Sequence, residues 1–191
     1  MLVYRIVRPI VTLFIKIVYR PTITGTNNIN KKGPVILAGN HTNNFDSLFL
    51  MSSTKRTVRF LGKHTLFKGV KKYLFKSVGV IPVNRNIRDK SVIPSSVAVI
   101  EKDGVIGIFP EGTINRTNGI IMPFKMGAIK IAELTGASIV PFVINGEYNI
   151  FGNKLKIKFL KPIKVESSDL EKENERLMKI IEEELRKIKV K

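Results

Sequence analysis

Six short apolar runs recur along the chain: PVILAG (34–39), VRFLG (58–62), VGVIPV (78–83), VIGIFP (105–110), IVPFVI (139–144) and LKIKFL (155–160). Several are apolar at every position rather than alternating, the pattern of strands covered on both faces. Between them, helical spacing is expected near 46–54, 64–76, 89–103 and 124–136. A last helix over 169–189 opens at "SSDLEKE", where Ser168 or Asp169 can cap it. Strands alternating with helices predict one α/β domain over 21–191, with a mostly parallel central sheet flanked by helices. In such sheets ligand groups gather beyond the carboxyl ends of the strands.

The opening twenty residues, MLVYRIVRPIVTLFIKIVYR, follow a different rule. Arg5, Arg8 and Lys16 interrupt them, so no run of roughly 18 uncharged apolar residues exists to span a bilayer. The uninterrupted apolar core and small-residue cleavage site of a signal peptide are also missing. Wound at about 100° per residue, the segment puts Arg5, Arg8, Thr12, Lys16 and Arg20 in one sector. Leu2, Ile6, Ile10, Leu13, Phe14 and Ile17 fall opposite. An apolar stripe facing a cationic one predicts an amphipathic helix over 1–20 lying on an anionic membrane surface. The competing expectation is a helix that packs this stripe on the protein's own core.

Composition sharpens the picture. The chain has 191 residues, no cysteine, and a formal net charge of +18. Without cysteine there are no disulfides, thiolate ligands or cysteine nucleophile. Charge of this size draws in polyanions: nucleic acid, anionic membrane or phosphorylated substrates. The acids are unevenly placed, with none in 1–45 and only Asp89 in 55–90, while "EKENERLMKIIEEELRK" (171–187) collects many. The basic surface is therefore expected to be one-sided.

Candidate chemistry begins where the first run ends, in "AGNHTNNFDSLFL" (38–50). His41 and Asp46 would stand roughly 140° apart on a continuous helix, too far round to pair. They can meet if His41 lies in the loop after a strand and Asp46 in the first turn of the next helix. The carboxylate would then accept from one ring nitrogen and leave the other free to take a proton from a hydroxyl. That is a serine-protease-type pair lacking its serine, so the attacking hydroxyl has to belong to the substrate. Alone, the same spacing also fits polar residues after a strand.

Three later blocks decide between these readings: GVIPVNR (79–85), FPEGT (109–113) and IVPF (139–142). With NHTNNFD (40–46) they form an ordered set that resembles the glycerolipid acyltransferase family, most closely the bacterial 1-acylglycerol-3-phosphate acyltransferases. The resemblance covers residues 20–160 and extends to "FLGKHTLFK" (60–68) and "PFKMGA" (123–128). It implies transfer of a fatty acyl group from a thioester donor, linked to acyl carrier protein or coenzyme A, to the free hydroxyl of a lysophospholipid. By that resemblance His41 is the general base and Asp46 its orienting partner. Arg85, Glu111, Gly112 and Thr113 line the glycerol phosphate site, and no metal or cofactor is needed.

Each role has its own rationale. Arg85 offers a planar fork for phosphate. Glu111 can accept from a glycerol hydroxyl or hold Arg85, Gly112 allows close backbone approach, and Thr113 can donate to phosphate or cap a helix. Lys63 and Lys125 add positive potential, while His64 has no partner in sequence and is read as structural. Two positions depart from the family's habit: Asn43 where serine is common, and Ile114 where a base is frequent. The expected setting is peripheral, on the cytoplasmic face of the cell membrane. Rival readings are the same chemistry on glycerol 3-phosphate or another lysolipid, an inactive membrane scaffold, and a basic nucleic-acid-binding protein. The last has no recognised motif or aromatic platform behind it.

Overall fold

The all-apolar runs become the strands of a seven-stranded sheet, and β2 (Val35–Gly39) is its buried centre. The computed structural model describes residues 2–84, 87, 89–152 and 154–189. The strands are β1 (Thr22–Thr24), β2, β3 (Val58–Lys63), β4 (Ile81–Val83), β5 (Val105–Ile108), β6 (Ser138–Asn145) and β7 (Lys156–Phe159). Their order across the sheet is β1-β7-β6-β2-β5-β3-β4. All neighbours run parallel except β6 and β7.

Alternate residues of β2 feed two separate cores. Val35 and Leu37 face one side, with Phe49, Leu50 and Met51 of α2 (Asp46–Ser52) and Tyr4, Ile15 and Tyr19 of α1 (Leu2–Tyr19). Ile36 and Ala38 face the other, covered by α4 (Val92–Ile100), α5 (Gly127–Thr135) and α6 (Leu170–Lys189). Each of these helices therefore buries one side, and the sheet is wrapped on both faces. Asp169 is the residue that caps α6: its Oδ1 accepts the Lys172 N–H at 3.1 Å.

Three expectations need correction. The helix expected over 64–76 is split into a 3-10 turn (His64–Phe67) and α3 (Lys71–Ser77), with Gly69 between them at φ 56°. β1 went unread, being only three residues of mostly polar Thr-Ile-Thr. α1 has three faces rather than two. The stripe Leu2, Ile6, Ile10, Leu13, Phe14 and Ile17 is exposed, while Tyr4, Ile15 and Tyr19 are buried in the core. The supposed cationic face is divided, because Arg8 turns inward and donates to the carbonyls of Met51 (3.4 Å) and Thr54 (2.5 Å) at the end of α2. Orphan carbonyls at a helix C-terminus favour such a cation.

Candidate active site

β6, β2 and β5 lie side by side, all parallel, and the segments that follow them build the site. Gly39 ends β2 because nothing larger fits: a Cβ there would stand 2.4 Å from the Phe142 ring and carbonyl. Asn40 then reaches sideways to β6. Its amide donates to the Ile144 carbonyl at 2.9 Å, and its oxygen accepts the Ile144 N–H at 2.8 Å. This side chain acts as an extra rung of the sheet, fixing where the chain leaves it.

His41 is held next, from both sides of its peptide. Its N–H donates to Glu111 Oε1 at 2.8 Å, and its carbonyl accepts the Asn115 N–H at 2.8 Å. Its ring stacks on Phe109, with centroids 4.2 Å apart and planes 17° from parallel. The FPEGT loop thus grips the histidine by backbone and ring together.

Asp46 is the first residue of α2 and fully buried, in the loop-then-helix arrangement that the His41 spacing requires. Its Oδ2 pairs with His41 Nδ1 at 2.8 Å and accepts the N–H groups of Thr42 (2.6 Å) and Asn43 (2.8 Å). A buried carboxylate this well supplied with donors is held in one orientation. With Nδ1 engaged, Nε2 is the ring nitrogen without a protein partner among the described residues. Asn43 performs the turn function that a serine would: its Oδ1 accepts the Phe45 N–H at 3.1 Å.

The remaining expected residues divide. Glu111 is buried, and each of its oxygens already has an amide partner, His41 for Oε1 and Met122 for Oε2 (2.8 Å). Through those two bonds it joins the His41 loop to the segment after FPEGT. Burial raises its carboxyl above the ordinary range, against the lowering effect of the two amides. Gly112 has φ 73°, and the end of the Lys125 side chain lies against it: an added Cβ would stand 2.8 Å from Lys125 Cε and Nζ. Lys125 is thereby placed beside the FPEGT loop. Thr113 is exposed and makes no hydrogen bond among the described residues, and Lys63 is exposed at the carboxyl end of β3. His64 Nδ1 is buried with no hydrogen-bond partner among the described residues. Arg85 lies outside the described residues.

One member of the site was not read from the sequence. Tyr148, in the β6–β7 loop, donates to Asp46 Oδ1 at 2.6 Å. It is 102 residues from its partner and lies outside all four blocks, so no local spacing marks it.

The sequence model of the family described as Acyltransferase matches residues 20–145. The chain belongs to the Acyltransferase family. Among its relatives is the 1-acyl-sn-glycerol-3-phosphate acyltransferase of Borreliella burgdorferi, 38% identical over 132 residues, covering 68% of this chain and 52% of that protein. The Haemophilus influenzae protein of the same name is 30% identical over 118 residues, covering 60% of this chain and 49% of the relative. The chain spans about half the length of the curated relatives it matches. The fold matches the crystal structure of the 1-acyl-sn-glycerophosphate (LPA) acyltransferase from Thermotoga maritima, with a TM-score of 0.78 and 20% identity. That match covers 98% of this chain and 82% of the other. The α/β architecture with its N-terminal helix is thus the fold of a solved acyltransferase.

Proposed function

We propose that this protein transfers a fatty acyl group from a thioester donor to the free sn-2 hydroxyl of 1-acylglycerol 3-phosphate, giving phosphatidic acid. The observation that carries the reading is the His41–Asp46 pair, locked at 2.8 Å through Nδ1 with Nε2 left over. Nε2 takes the hydroxyl proton as the oxygen attacks the thioester carbonyl. The C–S bond then breaks, and the imidazolium returns the proton to the departing thiolate. As written, the reaction balances without a metal, a cofactor or an acyl-enzyme. Such general-base help is worth about 10²–10⁴ in rate, and holding both substrates in place supplies further acceleration. Lys125 beside Gly112, exposed Lys63 and Arg85 are assigned to the acceptor's phosphate. The acyl donor is a carrier protein or coenzyme A, both anionic and both suited to a basic face.

The reaction is placed at an anionic membrane surface, on its cytoplasmic side. No helix among the described residues is long and apolar enough to cross a membrane. The support is the exposed stripe of α1 together with the segment over 64–77. Neither the 3-10 turn nor α3 buries a residue, and Val70, Tyr73 and Leu74 are exposed among Lys68, Lys71, Lys72 and Lys76. α3 also packs beside α1. Apolar groups ringed by lysine suit an anionic interface.

The test is acyl transfer to lysophosphatidate in mixed micelles, with both acyl carriers supplied, for wild type and His41→Ala. Product from wild type and none from the folded variant supports the reading. Turnover retained in the variant overturns the base assignment. Wild-type product only with glycerol 3-phosphate or another lysolipid would move the acceptor and keep the chemistry.

A further inference from the structure

The dyad has a third member with a hydrogen-bond role of its own. Asp46 Oδ2 is saturated by His41 Nδ1, Thr42 N–H and Asn43 N–H. Oδ1 has two donors: the Tyr148 hydroxyl at 2.6 Å and the more distant Thr42 hydroxyl at 3.3 Å. The phenol therefore supplies the short, charge-assisted bond on the carboxylate edge turned away from the histidine. Its ring is also fixed. It meets Phe49 of α2 edge-on at 6.3 Å, and Tyr19 of α1 edge-on at 5.4 Å. The loop that carries it is tied to the same end of α1, because the Phe151 N–H donates to the Val18 carbonyl at 2.6 Å. The Arg20 guanidinium lies 5.8 Å from the Phe151 ring centroid.

We propose that Tyr148 is a positioning residue of the His41–Asp46 pair: its hydroxyl holds the carboxylate in the orientation that aims Oδ2 at His41 Nδ1, and its ring makes that orientation depend on the seating of α1. The proposal rests on the general-base reading of His41. Burial and the adjacent Asp46 charge push the phenol well above its ordinary range, so it remains a donor throughout the pH range of activity. Glu111 holds the His41 peptide, Tyr19 backs Tyr148 from α1, and Lys125 lies beside Gly112 in the facing loop.

The direction of the effect follows from the bond. A donor on Oδ1 draws charge from the carboxylate and lessens its hold on a protonated imidazole. Without it, Asp46 orients less well but attracts the imidazolium more strongly. Tyr148→Phe keeps the ring and removes only the hydroxyl. The expected result is a kcat lower by about tenfold, KM values within about twofold, and the acid limb of the kcat/KM profile moved to higher pH. The His41 imidazole resonance, assigned with His41→Asn against the only other histidine (His64), should titrate at higher pH in the same variant. Replacing Tyr148 with 3-fluorotyrosine, a stronger donor of nearly the same shape, should move both readouts the other way. A Tyr148→Phe enzyme with wild-type kcat and an unmoved profile would overturn the proposal, even if its thermal midpoint fell, since lost stability alone marks a structural role. The NMR titration is read without substrate. A failed base assignment, shown by turnover in His41→Ala, is thus distinguishable from a failed Tyr148 role.

Discussion

Glu111 holds His41 by its backbone: Oε1 accepts the His41 N–H at 2.8 Å while Oε2 accepts the Met122 N–H at the same distance. The FPEGT loop is thereby clamped to the strand-end loop that presents the histidine. Glu111→Gln keeps the shape but turns an NH2 towards one of those two donors. An unsatisfied buried donor costs about 1–3 kcal/mol. The expected outcome is a lower thermal midpoint and a kcat reduced by about tenfold or more, with a smaller change in acceptor KM. An effect confined to KM would instead place the carboxylate in direct contact with the acceptor.

The same residue makes a pH prediction. Desolvation raises the Glu111 carboxyl in the folded protein, so the folded state binds its proton more tightly than the unfolded chain does. Its contribution to stability is fully present below the unfolded carboxyl value and is lost as pH rises through the raised folded value. Glutamine cannot titrate. The stability advantage of wild type over Glu111→Gln should therefore widen on acidification from pH 7 towards 4, as read by denaturant or thermal unfolding at each pH. A narrowing gap would mean that the two amide hydrogen bonds, not burial, dominate.

Asp46→Asn tests the pair from the other side. The amide can no longer supply acceptors to His41 Nδ1, Thr42 N–H, Asn43 N–H and the Tyr148 hydroxyl together. Loss of the fixed tautomer should lower kcat by about 10²–10⁴. Steady-state kinetics on a variant shown by circular dichroism to be folded would check this. A drop below threefold would separate Asp46 from catalysis.

Much of this arrangement was legible because the signals are local. All-apolar runs marked the buried parallel strands, and the His41–Asp46 spacing suited a loop-to-helix placement that the fold adopts. Glu111 was found through the resemblance but its contacts were not, since its amide partners arrive only when two loops meet. Tyr148 and Asn40 escaped for a similar reason: each bonds across 102 and 104 residues, and nothing near either one announces a partner. Arg8 misled because a helical wheel treats all exposed-looking cations alike. A cation that reaches a neighbouring helix end has the same sequence signature as one that reaches water.

That division of α1 gives a prediction with two opposite halves. Arg8 is bonded to the carbonyls of Met51 and Thr54, whereas Arg5 and Lys16 are exposed and make no hydrogen bond or ion pair among the described residues. Arg8→Ala leaves the end of α2 without its cation and should cost about 1.5–3 kcal/mol, a charge-assisted bond's worth. Its binding to vesicles should change little. The Arg5→Ala, Lys16→Ala double variant should unfold as wild type does, within about 0.5 kcal/mol. It should nonetheless bind anionic vesicles more weakly, by roughly thirtyfold for about 1 kcal/mol per lost charge, and the difference should shrink as salt rises. Sedimentation with phosphatidylglycerol vesicles, alongside urea unfolding of both variants, reads the two halves at once. Equal vesicle binding by wild type and the double variant at low salt would remove α1 from the membrane face while leaving its role in the fold, carried by Tyr4, Ile15 and Tyr19, untouched.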